Sequence, residues 1–203
     1  MFALKRLLLL FLILVAAYTF WPRSPSLTDF DPRRMAELQV AIWKGSADKK
    51  RPVLIFPLYE LYERQYHLPP VSSLKMALDT ARALNIFHSA PDAADQEKAL
   101  LPLQTVFSTL KSHTRASFDS NIAARMELMT WMLRADHAKR SQLLSAWSEQ
   151  IALLYGCSAS ECLEAARKFS IAAKAADEED WTAAQAGSLE GWIAIKNLPA
   201  PGG

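Results

Sequence analysis

The sequence predicts an all-α fold of about eight short-to-medium helices, arranged as a bundle or helical-hairpin array and preceded by one N-terminal transmembrane helix or signal sequence. Three observations carry that prediction. Long stretches are dominated by alanine and leucine with few β-branched runs, which favours helix over sheet. Apolar side chains recur three and four residues apart between turn signals. Only six glycines occur among 203 residues, and 51% apolar content against 22% charged suits one domain with a buried core rather than a disordered chain.

The chain opens MFALKRLLLLFLILVAAYTFWPRSP, where Lys5 and Arg6 precede fifteen uncharged, mostly apolar residues, Leu7 to Trp21. Fifteen helical residues rise about 22 Å, short of the roughly 30 Å of bilayer hydrocarbon. A retained signal anchor over residues 1–21 therefore draws in Phe2 to Leu4, with Lys5 and Arg6 snorkelling to the headgroups. A cleaved signal peptide competes with it, since Leu7 to Leu14 has the length of an h-region and Val15-Ala16-Ala17 supplies small residues for cleavage. Apolarity continuing through Tyr18, Phe20 and Trp21 resembles an interfacial aromatic belt and favours the anchor. Either way the basic N-terminus stays cytoplasmic. The expected location is the inner or plasma membrane, single-pass, with the C-terminal domain periplasmic or extracellular.

Residues 22–30, PRSPSLTDF, read as a Pro/Ser spacer, 31–197 as the extracytoplasmic helical domain and 198–203 as a flexible tail. Asp31-Pro32 gives an N-cap with proline at the first helical position. Met35, Leu38 and Ile42 follow at helical spacing, and Gly45 stands as the stop. After the polar loop SADKKRP, Val53 to Phe56 reads as a buried extended piece. From Pro57 the pattern is helical, with Leu58, Leu61, Tyr62 and Tyr66 on one side until Pro69-Pro70. Ser72 or Ser73 starts a helix to about Phe87, and Asp92 starts another through Leu110, bent where Pro102 removes a donor. Asp119 or Ser120 opens the next, ending near Asp136. Lys139 to Tyr155 is closed by Gly156, and 159–176 and 178–196 complete the set. The last pair, AARKFSIAAKAADEEDWTAAQAGSLEGW, resembles a single tetratricopeptide hairpin. It lacks the Trp and Leu-Gly signature and does not recur at the period of about 34 residues, so no family follows.

The only cysteines, Cys157 and Cys162, flank Ser158-Ala159-Ser160-Glu161. That stretch fits a capping box, Ser158 and Glu161 each satisfying an orphan backbone donor. With Ser158 as N-cap, Cys157 is N′ and Cys162 is N4, the two positions of a hydrophobic staple, so their side chains lean together. Outside the cytosol two such thiols are expected to form a structural disulfide. Free buried thiols and a redox pair are the alternatives. Zinc needs ligands that the neighbouring sequence does not offer.

Other candidate chemistry has plainer readings. Met126, Met129 and Met132 suit Cu(I) in an extracytoplasmic setting, yet with Ile122, Leu128 and Leu133 they share one helical arc and read as core. His67, His88, His113 and His137 each sit near a predicted helix C-terminus, where a ring N–H meets unpaired carbonyls. Trp131 falls near the polar side of its helix, beside Glu127 and Arg134; its plainer reading is an edge-of-core position, and it is the candidate partner contact. The carboxylates of DEED, 177–180, read as a solvated cap of the last helix. Ala183, Gly187 and Gly191 form a seam of small residues facing the helix before it.

Beyond Lys5 and Arg6 the chain carries 21 basic and 21 acidic side chains, without the basic excess of a nucleic-acid binder. No nucleophile elbow, phosphate loop or zinc-protease pair is present. The expectation is a membrane-anchored extracytoplasmic protein acting by protein–protein interaction, as scaffold, assembly factor or accessory subunit of a membrane complex. Its expected contacts are the membrane, through the N-terminal helix, and a protein partner. No catalytic, cofactor or metal residue and no small-molecule substrate is identified. The alternative is a thiol redox or copper- or haem-binding periplasmic protein.

Overall fold

The structure is a computed structural model and describes residues 27–47, 51–114, 116–136 and 140–199. Residues 1–21, expected to form a signal anchor, and His137 lie outside the described residues. Helices α1 (Pro32–Ala47), α2 (Arg51–Tyr66) and α3 (Pro70–Ser89) are followed by one short turn of helix, α4 (Ala93–Gln96), and a 3₁₀ turn, Glu97–Ala99. Then come α5 (Leu100–His113), α6 (Ser120–Ala135), α7 (Arg140–Tyr155), α8 (Ala159–Asp177) and α9 (Trp181–Lys196). No strand occurs among the described residues. No helix among them is long and apolar enough to cross a membrane.

Each long helix packs on the next in the chain, and α9 packs on α1, so the eight long helices close a ring. Connections of a few residues make neighbours antiparallel. The C-terminal ends of α1, α3, α6 and α8 therefore meet at one end of the ring. Side-chain contacts agree: Ser46 reaches His88, Arg134 reaches Trp43 and Asp177, and Lys44 lies over Trp181. At the opposite end Phe30 meets Trp192 edge to face, and Lys196 donates to the Phe30 carbonyl. Leu27 lies against both main core clusters there.

Local chemistry sets the helix starts. Asp31, Asp92, Asp119 and Asp180 each accept from backbone N–H groups two or three residues on, satisfying donors that the first turn leaves unpaired. Gly156, at φ 70°, closes α7 in the left-handed region that glycine enters without a Cβ penalty. Between α1 and α2, Arg34 grips Glu60 through Nε at 2.9 Å and Nη2 at 2.7 Å, and Arg64 adds a third bond. The Arg34 guanidinium, helped by Arg64 and opposed by burial, holds the Glu60 carboxyl below its ordinary range.

Several sequence expectations are corrected. Val53 to Phe56 is helix, not an extended piece, and Pro57 lies inside α2. The apolar run misleads because only part of it is inward: Leu54 and Leu58 are buried while Phe56 is 68% exposed. Gly45 does not stop α1, which runs on to Ala47. A Cβ there would come within 2.7 Å of Leu54, so the glycine serves the close approach of α2. The break near residue 100 falls at the 3₁₀ turn, whereas Pro102 sits in the first turn of α5, where its missing N–H costs nothing. The seam of α9 runs through buried Ala184, Gly187, Ser188 and Gly191, with Ala183 exposed.

Candidate functional site

The ring is not filled. A cavity of about 660 Å³ runs inside it, lined by residues of α1, α2, α3, α6, α7, α8 and α9. A side chamber of about 210 Å³ extends toward Leu103, Val106 and Leu110 of α5. Of the lining residues, Ala47, His88, Ala135, Asp177 and Glu179 are exposed, and all belong to the end where α1, α3, α6 and α8 finish. The cavity therefore opens at that end. Deeper in, Gln65, Tyr66, Tyr155 and Ile195 are buried.

Aromatic rings build the wall. Phe169 meets Trp147 and Trp192 edge-on, Trp131 meets Phe87 at 5.6 Å between centroids, and Tyr62 stacks on Tyr66. These rings come from α2, α3, α6, α7, α8 and α9, so the helical ring, not one hairpin, creates the surface. Such walls bind apolar bodies and, through their negative faces, cations.

Polar side chains at fixed positions interrupt the wall. Gln39 of α1 accepts from the Trp192 indole at 2.8 Å and from Ser188. Gln65 of α2 donates to the Tyr155 hydroxyl of α7 at 2.8 Å, a bond between helices that are not neighbours in the ring. Tyr62 and Thr80 share a hydrogen bond of 2.6 Å. Burial pushes the Tyr62 and Tyr155 hydroxyls up, against the bonds from Thr80 and Gln65, so both stay protonated.

Glu127 is the one carboxylate deep in this wall among the described residues. Its side chain accepts from the Trp131 indole at 2.7 Å and from the Gln150 amide. Both donors are neutral, and no ion pair to Glu127 exists among the described residues. Burial raises its carboxyl above the ordinary range, opposed by Gln150 and Trp131. At the open end Arg134 bridges three helices: its guanidinium lies over Trp43, 4.5 Å from the ring centroid, and its Nη2 meets Asp177 at 3.0 Å.

The residues singled out by their sequence patterns fall in different places. Trp131 lines the cavity and packs, partly buried, on the larger core cluster. The side of α6 that carries Glu127, Trp131 and Arg134 is polar, which by pattern assigns it to solvent. It faces the lumen instead, while Ile122 and Met129 of the apolar arc are 51% and 40% exposed. Asp177 likewise belongs to the bridge with Arg134 rather than to a solvated cap, and only Asp180 caps α9. Cys157 and Cys162 lie at disulfide distance, their sulfurs 2.27 Å apart. Ser158 caps α8, receiving Glu161 N–H while the Glu161 carboxylate accepts from Ser158 N–H. This pair sits where α7 hands over to α8 and does not line the cavity.

His67 donates from Nε2 to the Asp29 carbonyl, His88 pairs with Ser46, and His113 joins Thr109 and Ser72. No group of His, Cys, Asp or Glu side chains among the described residues is arranged to hold a metal. Sequence reasoning does not single out Glu127, Gln39, Gln65 or Gln150 as site residues. A signal exists nonetheless: Gln65 follows Leu58, Leu61 and Tyr62 on one face, and Gln150 interrupts the stripe of Leu143, Trp147, Ile151 and Leu154. An amide set into an apolar stripe marks a face that meets polar groups inside. No protein-family model matches the chain, and no similar chain was found among curated proteins or solved structures.

Proposed function

We propose that this chain is a tethered extracytoplasmic binding protein whose helical ring takes a small organic ligand into its aromatic cavity. One observation carries the reading: seven of the eight ring helices line a space of about 660 Å³ whose wall is aromatic and whose polar groups sit at fixed positions. Ligand sites typically enclose about 300–1,000 Å³, mostly apolar with few polar groups. A cavity of that size forgoes packing contacts that a closely packed interior would make. The leader over 1–21 delivers the domain across the membrane in this reading, and the Cys157–Cys162 pair fits an oxidising compartment.

Titration with Nile red, a neutral dye that brightens in apolar surroundings, tests it. One dye should bind per chain, and Leu84→Trp, which adds volume to a half-buried lining residue, should abolish binding while far-UV circular dichroism is retained. Unchanged binding to a folded Leu84→Trp variant would overturn the reading.

A second reading is protein–protein interaction through the outer surface, as scaffold or accessory subunit of a membrane complex. The observation favouring it is Val71, Leu74 and Leu78 of α3, exposed on one helical face. Crosslinking in cells with the tether intact tests it. A reproducible partner lost on changing all three to serine supports it, and capture unaffected by those changes counts against it.

A further inference from the structure

We infer that the cavity takes an organic cation, an amine or quaternary ammonium on an apolar body, with its charged head against the Glu127 carboxylate. The inference rests on the cavity being a ligand site and adds the class of ligand. Three independent features support it.

The first is the unbalanced charge of the lining. Glu127, Asp177 and Glu179 face one guanidinium, Arg134, although the helical domain as a whole carries no such excess. Arg134 is already committed to Asp177 and to the Trp43 ring. It also stands seven residues beyond Glu127 on α6, about 10 Å farther along the axis toward the opening. Glu127 is left as a deep carboxylate whose only partners among the described residues are two neutral donors. A carboxylate offers about four acceptor sites, so acceptor capacity remains on the lumen side.

The second feature is the company of that carboxylate. Tyr62 and Tyr66 stand close enough for Glu127 to influence both hydroxyls electrostatically, and Trp131 is bound to it directly. Aromatic faces beside a carboxylate favour an alkylammonium twice, through the ring quadrupole and through Coulomb attraction in a poorly solvated site. An anion would meet the repulsion of the same carboxylate. A neutral ligand would leave its charge uncompensated.

The third is the Tyr66 hydroxyl. Tyr66 is 9% exposed and lines both the cavity and its side chamber, yet its hydroxyl makes no hydrogen bond among the described residues. An ammonium carrying N–H groups would find an acceptor in that oxygen, whereas a quaternary head would use the ring faces.

The test is competition against Nile red by phenyltrimethylammonium and by tert-butylbenzene, its neutral isostere, with benzenesulfonate as the anion of similar size. The cation should displace the dye at a concentration about tenfold lower than the isostere, the factor that about 1.4 kcal/mol gives. Glu127→Gln should bring the displacement concentrations of cation and isostere to about equality, with far-UV circular dichroism showing that the variant folds. Equal displacement by cation and isostere, preference for the sulfonate, or a preference that survives Glu127→Gln would each overturn the cation assignment and leave the cavity reading standing. Failure of Nile red itself to bind the wild-type protein would overturn both.

Discussion

Burial lifts the Glu127 carboxyl above its ordinary range, and only Gln150 and Trp131 pull the other way. The direction fixes a stability signature. In the unfolded chain the side chain ionises at its ordinary value, whereas the folded protein keeps the proton to higher pH. The contribution of this group is therefore fully present below the unfolded value and is lost as pH rises through the folded one. Glu127→Gln has nothing to lose in that window. Urea midpoints taken between about pH 4 and 8 should show the wild type falling relative to Glu127→Gln as pH rises. A parallel pair of curves would show that the carboxyl is not perturbed. Gly191 makes the opposite kind of demand, for space. A Cβ at this position would lie 2.7 Å from the buried Phe169 ring, which would have to shift. Gly191→Ala should cost about 1–3 kcal/mol by overpacking, outweighing the gain of about 1 kcal/mol in helix propensity, as read from denaturant unfolding.

At the scale of elements, what is legible in the sequence is what local chemistry decides. The start of α8 is written in four residues, because a serine hydroxyl and a glutamate carboxylate three apart satisfy each other's backbone donors at a helix entry. Ser158→Ala should cost about 1 kcal/mol, measurable by urea titration, and should leave the Cys157–Cys162 pair in place. The aspartate caps of α6 and α9 and the glycine closing α7 are legible for the same reason. Which face of a helix turns inward is less so. In α6 the apolar spacing of Ile122, Met126 and Met129 points to the core, but a helix around a polar lumen has two sheltered sides. Ala123, Ala124 and Leu128 are buried away from solvent, and Glu127, Trp131 and Arg134 face the cavity. Periodicity alone assumes one interior of one polarity, and that assumption fails here.

On the scale of the whole molecule, eight antiparallel helices follow from pattern and short connections, but their closure does not. Nothing local announces that α9 meets α1. It is a consequence of Phe30 and Trp192, of the Lys196 bond to the Phe30 carbonyl, and of Gln39 holding Ser188 and Trp192, residues about 150 apart from it in the chain. The cavity exists only because of that closure, so the candidate site is illegible for the same physical reason. Gln39→Ala removes the acceptor shared by two buried donors and should lower the urea midpoint more than Ser158→Ala does.

The meeting of α9 with α1 has one more implication. In a closed circle of antiparallel helices no element is first, and the place where the polypeptide begins is an accident of its gene rather than a requirement of its architecture. A circular permutant that joins residue 199 to residue 27 through a short glycine-serine linker, with new ends in the connection between α5 and α6, should fold to the same helical content and still bind Nile red. A permutant that is soluble and helical but has lost the dye would show that the native ends hold the enclosure in shape.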